Sequence, residues 1–165
     1  MIIIDPNSDI NVFFGRMLVL VNELSFLKDG KKALTIERIV IYEFFSRSPL
    51  ILAKVLNMVN KKINIDIKDI EVDGVNSLYP SYGDLYKFKN TKDLLQILFS
   101  HGLIDFTKES DGDHFISISP KGSEVSDTLE SEYLLRIKEI SKAIALLHSV
   151  SFSSLRTSVK SLLYE

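Results

Sequence analysis

The stretch HGLIDFTKESDGDHFISISPKG, residues 101–122, decides the fold because three elements meet within it. Gly102 suits the position at which a helix ends in a left-handed residue. The segments LIDFT and HFISIS alternate with period two on either side of KESDGD, which predicts a β-hairpin with Asp111-Gly112 at its tip. The Ser119-Pro120 pair resembles a helix cap followed by a first-turn proline, so a new helix should start there.

The sequence before this stretch predicts helices. NTKDLLQILFS indicates a helix capped by Asn90 or Thr91, whose inward face is expected to carry Leu94, Leu95, Leu98 and Phe99. LTIERIVIYEFFSRSPLILAKVLNMVNKK, residues 34–62, indicates two helices joined sharply at Ser48-Pro49, because proline is tolerated in the first turn of a helix but not in its interior. Two such helices, a third helix and a hairpin follow the order of a winged helix-turn-helix domain, with the hairpin as the wing.

The two ends of the chain add helices to this core. Ser8 or Asp9 should cap a helix that runs to about Lys28 and is apolar on more than one face. Such a helix lies in the core, which we favour, or is covered by a partner. In the tail, apolar residues recur at spacings of four and three, the pattern of a helix that packs lengthwise on another.

The sequence therefore predicts a mainly α fold with a small β-hairpin. An N-terminal helix (1–30) precedes a winged helix-turn-helix core (31–129), and a long helical extension (130–165) follows it. Residues 63–78 alternate apolar and acidic side chains and contain Gly and Asn, which favours an extended connection.

Composition narrows the classes of function. The 45% of hydrophobic residues is enough for a real core, and a formal net charge of −2 gives no long-range attraction to nucleic acid or anionic membrane. The absence of cysteine excludes disulfides, thiolate nucleophiles and sulfur-ligated zinc. The first residues lack a basic leader, and Asp5, Asp9 and Arg16 make a signal peptide or membrane span a poor interpretation. We expect a cytoplasmic protein without membrane contact.

No catalytic motif stands out. Neither of the glycine-rich phosphate-binding patterns occurs, and His101, His114 and His148 lack metal-ligand spacing. The acidic residues of the hairpin do not have the spacing of a calcium-binding loop. We therefore expect no enzyme activity, no bound metal and no cofactor.

Two kinds of interaction surface can be predicted. Non-specific contact with a DNA backbone would use the cations and polar groups around the third helix: Lys87, Lys89, Lys92, Gln96, His101 and Lys121. The wing tip is acidic and would repel phosphate, which favours a protein-binding winged helix. The expected protein interface combines the surplus apolar residues of the first helix, the acidic tip and the seam of the tail: Phe14, Leu18, Val21, Glu109, Asp111, Asp113, Ile137, Ile140, Ile144 and Leu147.

Four segments resemble a known family. LTIERIVIYEFFSRSPLIL (34–52), LLQILFSHGLIDF (94–106), ISPKG (118–122) and SEYLLRIKEISKAI (131–144) are similar to the middle components of bacterial ABC-three-component systems, which include the accessory subunit of Lamassu-type defence. The resemblance implies a small non-catalytic subunit that joins an SMC-like coiled-coil ATPase to an effector, often a nuclease, in defence against phage or plasmids. Such a subunit would reach double-stranded DNA through the complex.

A second function stays open from the residues alone. A winged-helix transcription regulator would read the major groove with Lys92, Gln96 and Ser100, and its tail would form a homodimer.

Overall fold

The fold is mainly helical with one antiparallel hairpin, as predicted. The computed structural model describes residues 9–68, 71 and 88–163. Its α-helices are α1 (Ile10–Leu24), α2 (Ile36–Arg47), α3 (Pro49–Met58), α4 (Phe88–Ser100), α5 (Pro120–Asp127), α6 (Glu132–Ala145) and α7 (Phe152–Leu163), and its strands are β1 (Ile104–Lys108) and β2 (His114–Ile118). A 3-10 turn, Leu146–Ser149, follows α6. Within these residues no helix is both long enough and apolar enough to cross a bilayer.

The sharp joint between α2 and α3 lies at Ser48, as the sequence predicts. Ser48 donates its backbone N–H to the carbonyl of Phe45 (3.1 Å) and accepts from the N–H of Leu52 (3.1 Å), so that it ends one helix and starts the next. Pro49 is the first residue of α3, where its missing N–H costs no helical hydrogen bond.

The hairpin has the predicted strands and tip. β1 and β2 pair from Ile104 opposite Ile118 to Lys108 opposite His114, and Gly112 turns the tip with a φ of +93°. The segment before α2 adds a contact that the sequence does not reveal. The N–H of Ile116 donates to the carbonyl of Leu34 (2.8 Å), beside an isolated bridge between Thr35 and Phe115. The hairpin is therefore fixed to the start of α2.

The two borders of the hairpin are fixed to each other by Ser119. Its hydroxyl accepts from the N–H of Gly122 (2.9 Å), which caps α5, and donates to the carbonyl of Gly102 (2.6 Å). Its own N–H donates to the carbonyl of Leu103 (3.1 Å). The end of α4 and the start of α5 are thus held side by side at the base of the hairpin.

Helix α1 takes the first of the two places considered for it, inside the core. It packs along α6 and also contacts α2, α5 and β2. Helix α1 ends at Leu24 and not at about Lys28. The hydroxyl of Ser25 donates to the carbonyl of Val21 and accepts from the N–H of Ile118 (2.9 Å), which holds the chain against β2 directly after the helix. Helix α4 likewise begins at Phe88, before both predicted caps.

The connection after α3 is described over residues 61–68 and at Glu71, and the remainder of residues 63–78 lies outside the described residues. Residues 61–68 form neither helix nor strand, as predicted for this segment, whereas Glu71 is helical. Arg136 of α6 binds this segment: its Nε and Nη2 reach the two carboxylate oxygens of Glu71 (2.7 and 2.8 Å), and Nη2 also reaches the carbonyl of Asp66 (2.6 Å). A planar guanidinium is suited to such a two-point contact.

Candidate protein and nucleic-acid interface

Helix α4 presents the residues predicted to contact DNA. It buries Leu94, Leu95 and Leu98 in the core, as expected. The side chains of Lys89, Lys92 and Gln96 are exposed on the other side. Their spacing of three and four residues puts them along one side of the helix.

The remaining predicted contacts lie around the end of α4. His101 and Lys121 are exposed, and Lys121 Nζ donates to the carbonyl of His101 (2.9 Å), next to the base of the hairpin. Lys87 lies outside the described residues. The structure thus brings three of the predicted side chains onto one side of α4 and two to its C-terminal end.

An exposed aromatic pair joins this surface and was missed by the sequence prediction. Phe99 was expected to face inward, yet it is 50% exposed, and Phe106 on β1 is 39% exposed. Their rings contact each other with centroids 5.2 Å apart and planes inclined by 58°. Phe99 lies at the edge of the apolar side of α4, where the hairpin and not the core is its neighbour.

The acidic tip of the hairpin is exposed and locally ordered. Asp111 accepts from the N–H of Asp113 through its carboxylate (3.2 Å), and the N–H of Glu109 donates to the carbonyl of Asp113 (2.8 Å). Glu109 Oε1 lies 3.4 Å from Lys32 Nζ, with both side chains partly exposed. The carboxylate of Asp111 therefore stabilises the turn, and that of Glu109 pairs with Lys32 in the segment before α2.

The apolar part of the predicted protein interface lies inside this chain. Six of its residues are buried in the core: Leu18, Val21, Ile137, Ile140, Ile144 and Leu147. Phe14 is half-buried and packs against that core. The seam of the tail therefore packs on α1 of the same chain, and in this conformation it is not presented to a partner.

Three helices meet at a buried ion cluster. Arg16 of α1 is 2% exposed, and its Nη2 lies 2.8 Å from Glu43 Oε1 on α2. The same carboxylate receives Arg47 Nε (2.8 Å) and Nη2 (3.1 Å). Arg16 Nη1 donates to the hydroxyl of Tyr133 on α6 (2.8 Å). In the sequence Arg16 looks like an interruption of an apolar run, whereas here it connects α1 to α2 and α6.

A second polar cluster fixes the end of α6. Arg38 donates to the Tyr42 hydroxyl (3.0 Å) and to the carbonyls of Leu147 (3.2 Å) and Val150 (2.6 Å). The Tyr42 hydroxyl lies 3.2 Å from Nδ1 of His148. Burial, followed by the charge of Arg38, lowers the pKa of His148 to about 4, so its imidazole is neutral at physiological pH.

Because His148 is neutral in the folded protein, we expect the free energy of unfolding to depend on pH. The unfolded chain binds the proton of His148 at about pH 6.5, and the folded chain binds it only at about pH 4. The unfolded state therefore holds more protons between these values, and stability should fall as the pH decreases through this window. Urea midpoints at pH 7.5 and pH 5 should diverge less for His148→Phe than for the parent protein. His114→Ala, at an exposed site, should keep the parent difference, and an unchanged difference in His148→Phe would contradict the assignment.

No group of three or more histidines, aspartates or glutamates among the residues that the structure describes is placed to hold a metal ion.

Comparison with protein-family models gives a match over most of the chain. A family model described as ABC-three component (ABC-3C) system Middle Component 4 matches residues 24–157. Neither a curated protein nor a solved structure gives a significant match. The matched range runs from the last residue of α1 into α7 and includes the hairpin, α4 and the buried seam of α6.

Proposed function

Because the chain belongs to the Middle Component 4 family of ABC-three-component systems, we propose that it is a non-catalytic, cytoplasmic subunit that bridges an SMC-like coiled-coil ATPase to an effector nuclease. In this proposal the complex is a Lamassu-type defence system against phage or plasmids, and the subunit touches double-stranded DNA without reading its sequence. The observation that carries the proposal is the family match over residues 24–157, since a middle component implies other components in its system.

The proposal includes a winged-helix core. Two helices joined at Ser48, then α4 and the β1–β2 hairpin, support it through their order. One hydrogen bond from β2 to Leu34 and an isolated bridge between Thr35 and Phe115 tie the hairpin to the start of α2, which fits a wing that is built into the domain and not appended to it.

The non-catalytic role is supported by what the buried ionisable groups do. Glu43 is shared between two arginines, and His148 contacts Tyr42. These contacts join helices, so the groups serve packing. The exposed ionisable groups on α4 and on the hairpin lie at the surface, where a macromolecule can reach them.

A direct test is complex formation. Co-expression of the tagged chain with the products of its neighbouring genes should yield a stable assembly by size-exclusion chromatography and mass photometry. Omitting this chain should leave ATPase and effector unassociated. An ATPase–effector assembly that forms equally well without the chain would contradict the bridging role.

The acidic tip predicts a basic surface on the partner. Neutralising it with Glu109→Gln, Asp111→Asn and Asp113→Asn together keeps a side-chain acceptor for the turn at position 111 but removes the charge. Complementary charge mainly accelerates association, so association with the partner component should slow about tenfold at low salt. Interferometry at 50 and 300 mM salt would measure this rate, and the salt dependence should weaken in the variant.

A matched control removes the same charge elsewhere. Glu124→Gln, Asp127→Asn and Glu130→Gln neutralise three exposed acids around the end of α5, and they should leave the association rate close to that of the parent. Equal rates for the tip variant and the parent would mean that the tip is only solvated.

The regulator alternative has less support. Its homodimer would be formed by the tail, but Ile137, Ile140 and Ile144 are buried against α1 of the same chain. Sequence-specific binding of a palindromic DNA site by a homodimer would restore this alternative.

A further inference from the structure

One flank of α4 and one face of β1 form a continuous exposed strip. Lys92, Gln96 and Phe99 follow one another at spacings of four and three on that flank of the helix. Phe106 and Lys108 lie two residues apart on the same face of β1. The contact between the rings of Phe99 and Phe106 joins the two elements, so an aromatic pair lies between one lysine of the helix and one of the hairpin.

The exposure of this pair needs an explanation. Phe44 and Phe45 are almost wholly buried, while Phe99 and Phe106 contact each other at the surface. Adjacent exposed aromatic side chains mark binding sites more often than isolated apolar residues do. Aromatic rings flanked by cations are the combination that binds single-stranded nucleic acid, in which bases stack on the rings and cations contact the phosphates.

We propose that Phe99 and Phe106 form a stacking site for unpaired bases of single-stranded DNA, with the adjacent phosphates contacted by Lys92 and Lys108. This inference rests on the DNA contact of the proposed function and adds a site for single-stranded DNA to the contact with the duplex. In a duplex the faces of the bases are covered by their neighbours, so a phenylalanine ring must first unstack them, whereas the face of an unpaired base is open to it.

The charges around the strip favour a single strand over a duplex. The acidic tip begins at Glu109, directly after Lys108, and would approach the phosphates of a second strand. Glu109 itself is near Lys32, and Asp105 lies on the opposite face of β1 from Phe106. Asp93 directly follows Lys92 on α4, and neighbouring residues of a helix project from different sides of it. A single strand can follow the lysine–aromatic–lysine strip without crossing these carboxylates.

The chain contains no tryptophan, which provides a direct probe of stacking. Phe106→Trp places the sole indole of the protein in the pair. Titration of this variant with a 20-nucleotide oligo-dT should quench its fluorescence in a saturable manner, whereas a duplex of equal length should quench it little. Quenching of equal size by both forms of DNA would overturn the proposal.

Alanine variants test the energetic role of the rings. Phe99→Ala and Phe106→Ala should each weaken oligo-dT binding by about fivefold or more, the effect of losing one stacked base. Duplex binding should change less than about twofold. Ile97→Ala is the matched control, because Ile97 is 41% exposed on the opposite flank of the same helix. Urea midpoints close to that of the parent would show that the variants fold.

The outcomes separate this inference from the proposed function. Suppose that Lys92→Gln weakens duplex binding but that both alanine variants bind oligo-dT as tightly as the parent. This result would overturn the stacking site and leave the proposed DNA contact intact. Failure of the chain to bind either form of DNA, alone and in the assembled complex, would overturn both. Loss of the ATPase or effector from Phe99→Ala, with oligo-dT binding unchanged, would identify the pair as a protein-docking site and overturn the proposal.

Discussion

Replacing Glu43 by alanine should lower the free energy of unfolding by about 3–5 kcal/mol, the usual cost of leaving a buried charge without its partner. Arg16 is 2% exposed, and it and Arg47 both bind this carboxylate. Without Glu43, two guanidinium groups would face each other in a poorly solvated space. Urea denaturation followed by circular dichroism would measure the loss.

Two further variants make this prediction specific. Glu124→Ala removes an exposed glutamate and should change stability by about 0.5 kcal/mol or less. Arg16→Met combined with Glu43→Met replaces the buried pair by apolar side chains and should recover much of the loss, because Arg47 is near enough to the surface to turn toward water. A small effect of Glu43→Ala would show that the cluster is solvated.

Gly122→Ala should be the second strongly destabilising change. A Cβ at this position would lie 1.9 Å from the carbonyl oxygen of Leu103 and 2.8 Å from Cδ1 of Ile118. The first of these atoms belongs to the backbone, so the base of the hairpin would have to move away from α5. We expect a loss of about 3 kcal/mol or more, at the upper end for overpacking, with weaker protection of the Ser119 amide in hydrogen exchange.

Gly15→Ala is the internal control for this prediction. Its Cβ would meet the flexible end of Leu134 at 3.0 Å, and alanine is the better residue inside a helix. Stability should therefore change by no more than about 1 kcal/mol in either direction. Equal effects of the two substitutions would contradict the close approach between Gly122 and Leu103.

Local chemistry made most elements predictable. The Asp111-Gly112 turn, the Ser48-Pro49 joint and the Ser119 cap each depend on residues within a few positions, and all three were confirmed. The acidic turn was predictable for the same reason, because Asp111 closes on Asp113 two residues later.

Features that depend on distant residues could not be predicted. Phe26 and Leu27 fit the helical spacing of α1, but Ser25 is held by the N–H of Ile118 on β2, and the helix ends before them.

Glu43 and Arg47 are spaced to pair within α2, yet nothing local indicates that Arg16 joins them. The spacing of Phe99 predicts that it faces the core, because the sequence does not show which flank of α4 meets the hairpin.

The seam of α6 illustrates a further limit. Ile137, Ile140 and Ile144 have the spacing of a helix that packs lengthwise, and they do pack that way, on α1. A helix that packs on its own chain and a helix that packs on a second chain have the same spacing of four and three. The sequence therefore predicts the helix contact but not which chain supplies the other helix.

The packing of α1 on α6 has a consequence for how the protein is made. At ribosomal rates of about 5–20 residues per second, the roughly hundred residues between these helices take several seconds to be synthesised. During that interval α1 has no α6 to pack along. The nascent chain therefore exposes an apolar helix well before the helix that packs along it exists, which makes early α1 a natural client for a chaperone at the ribosome.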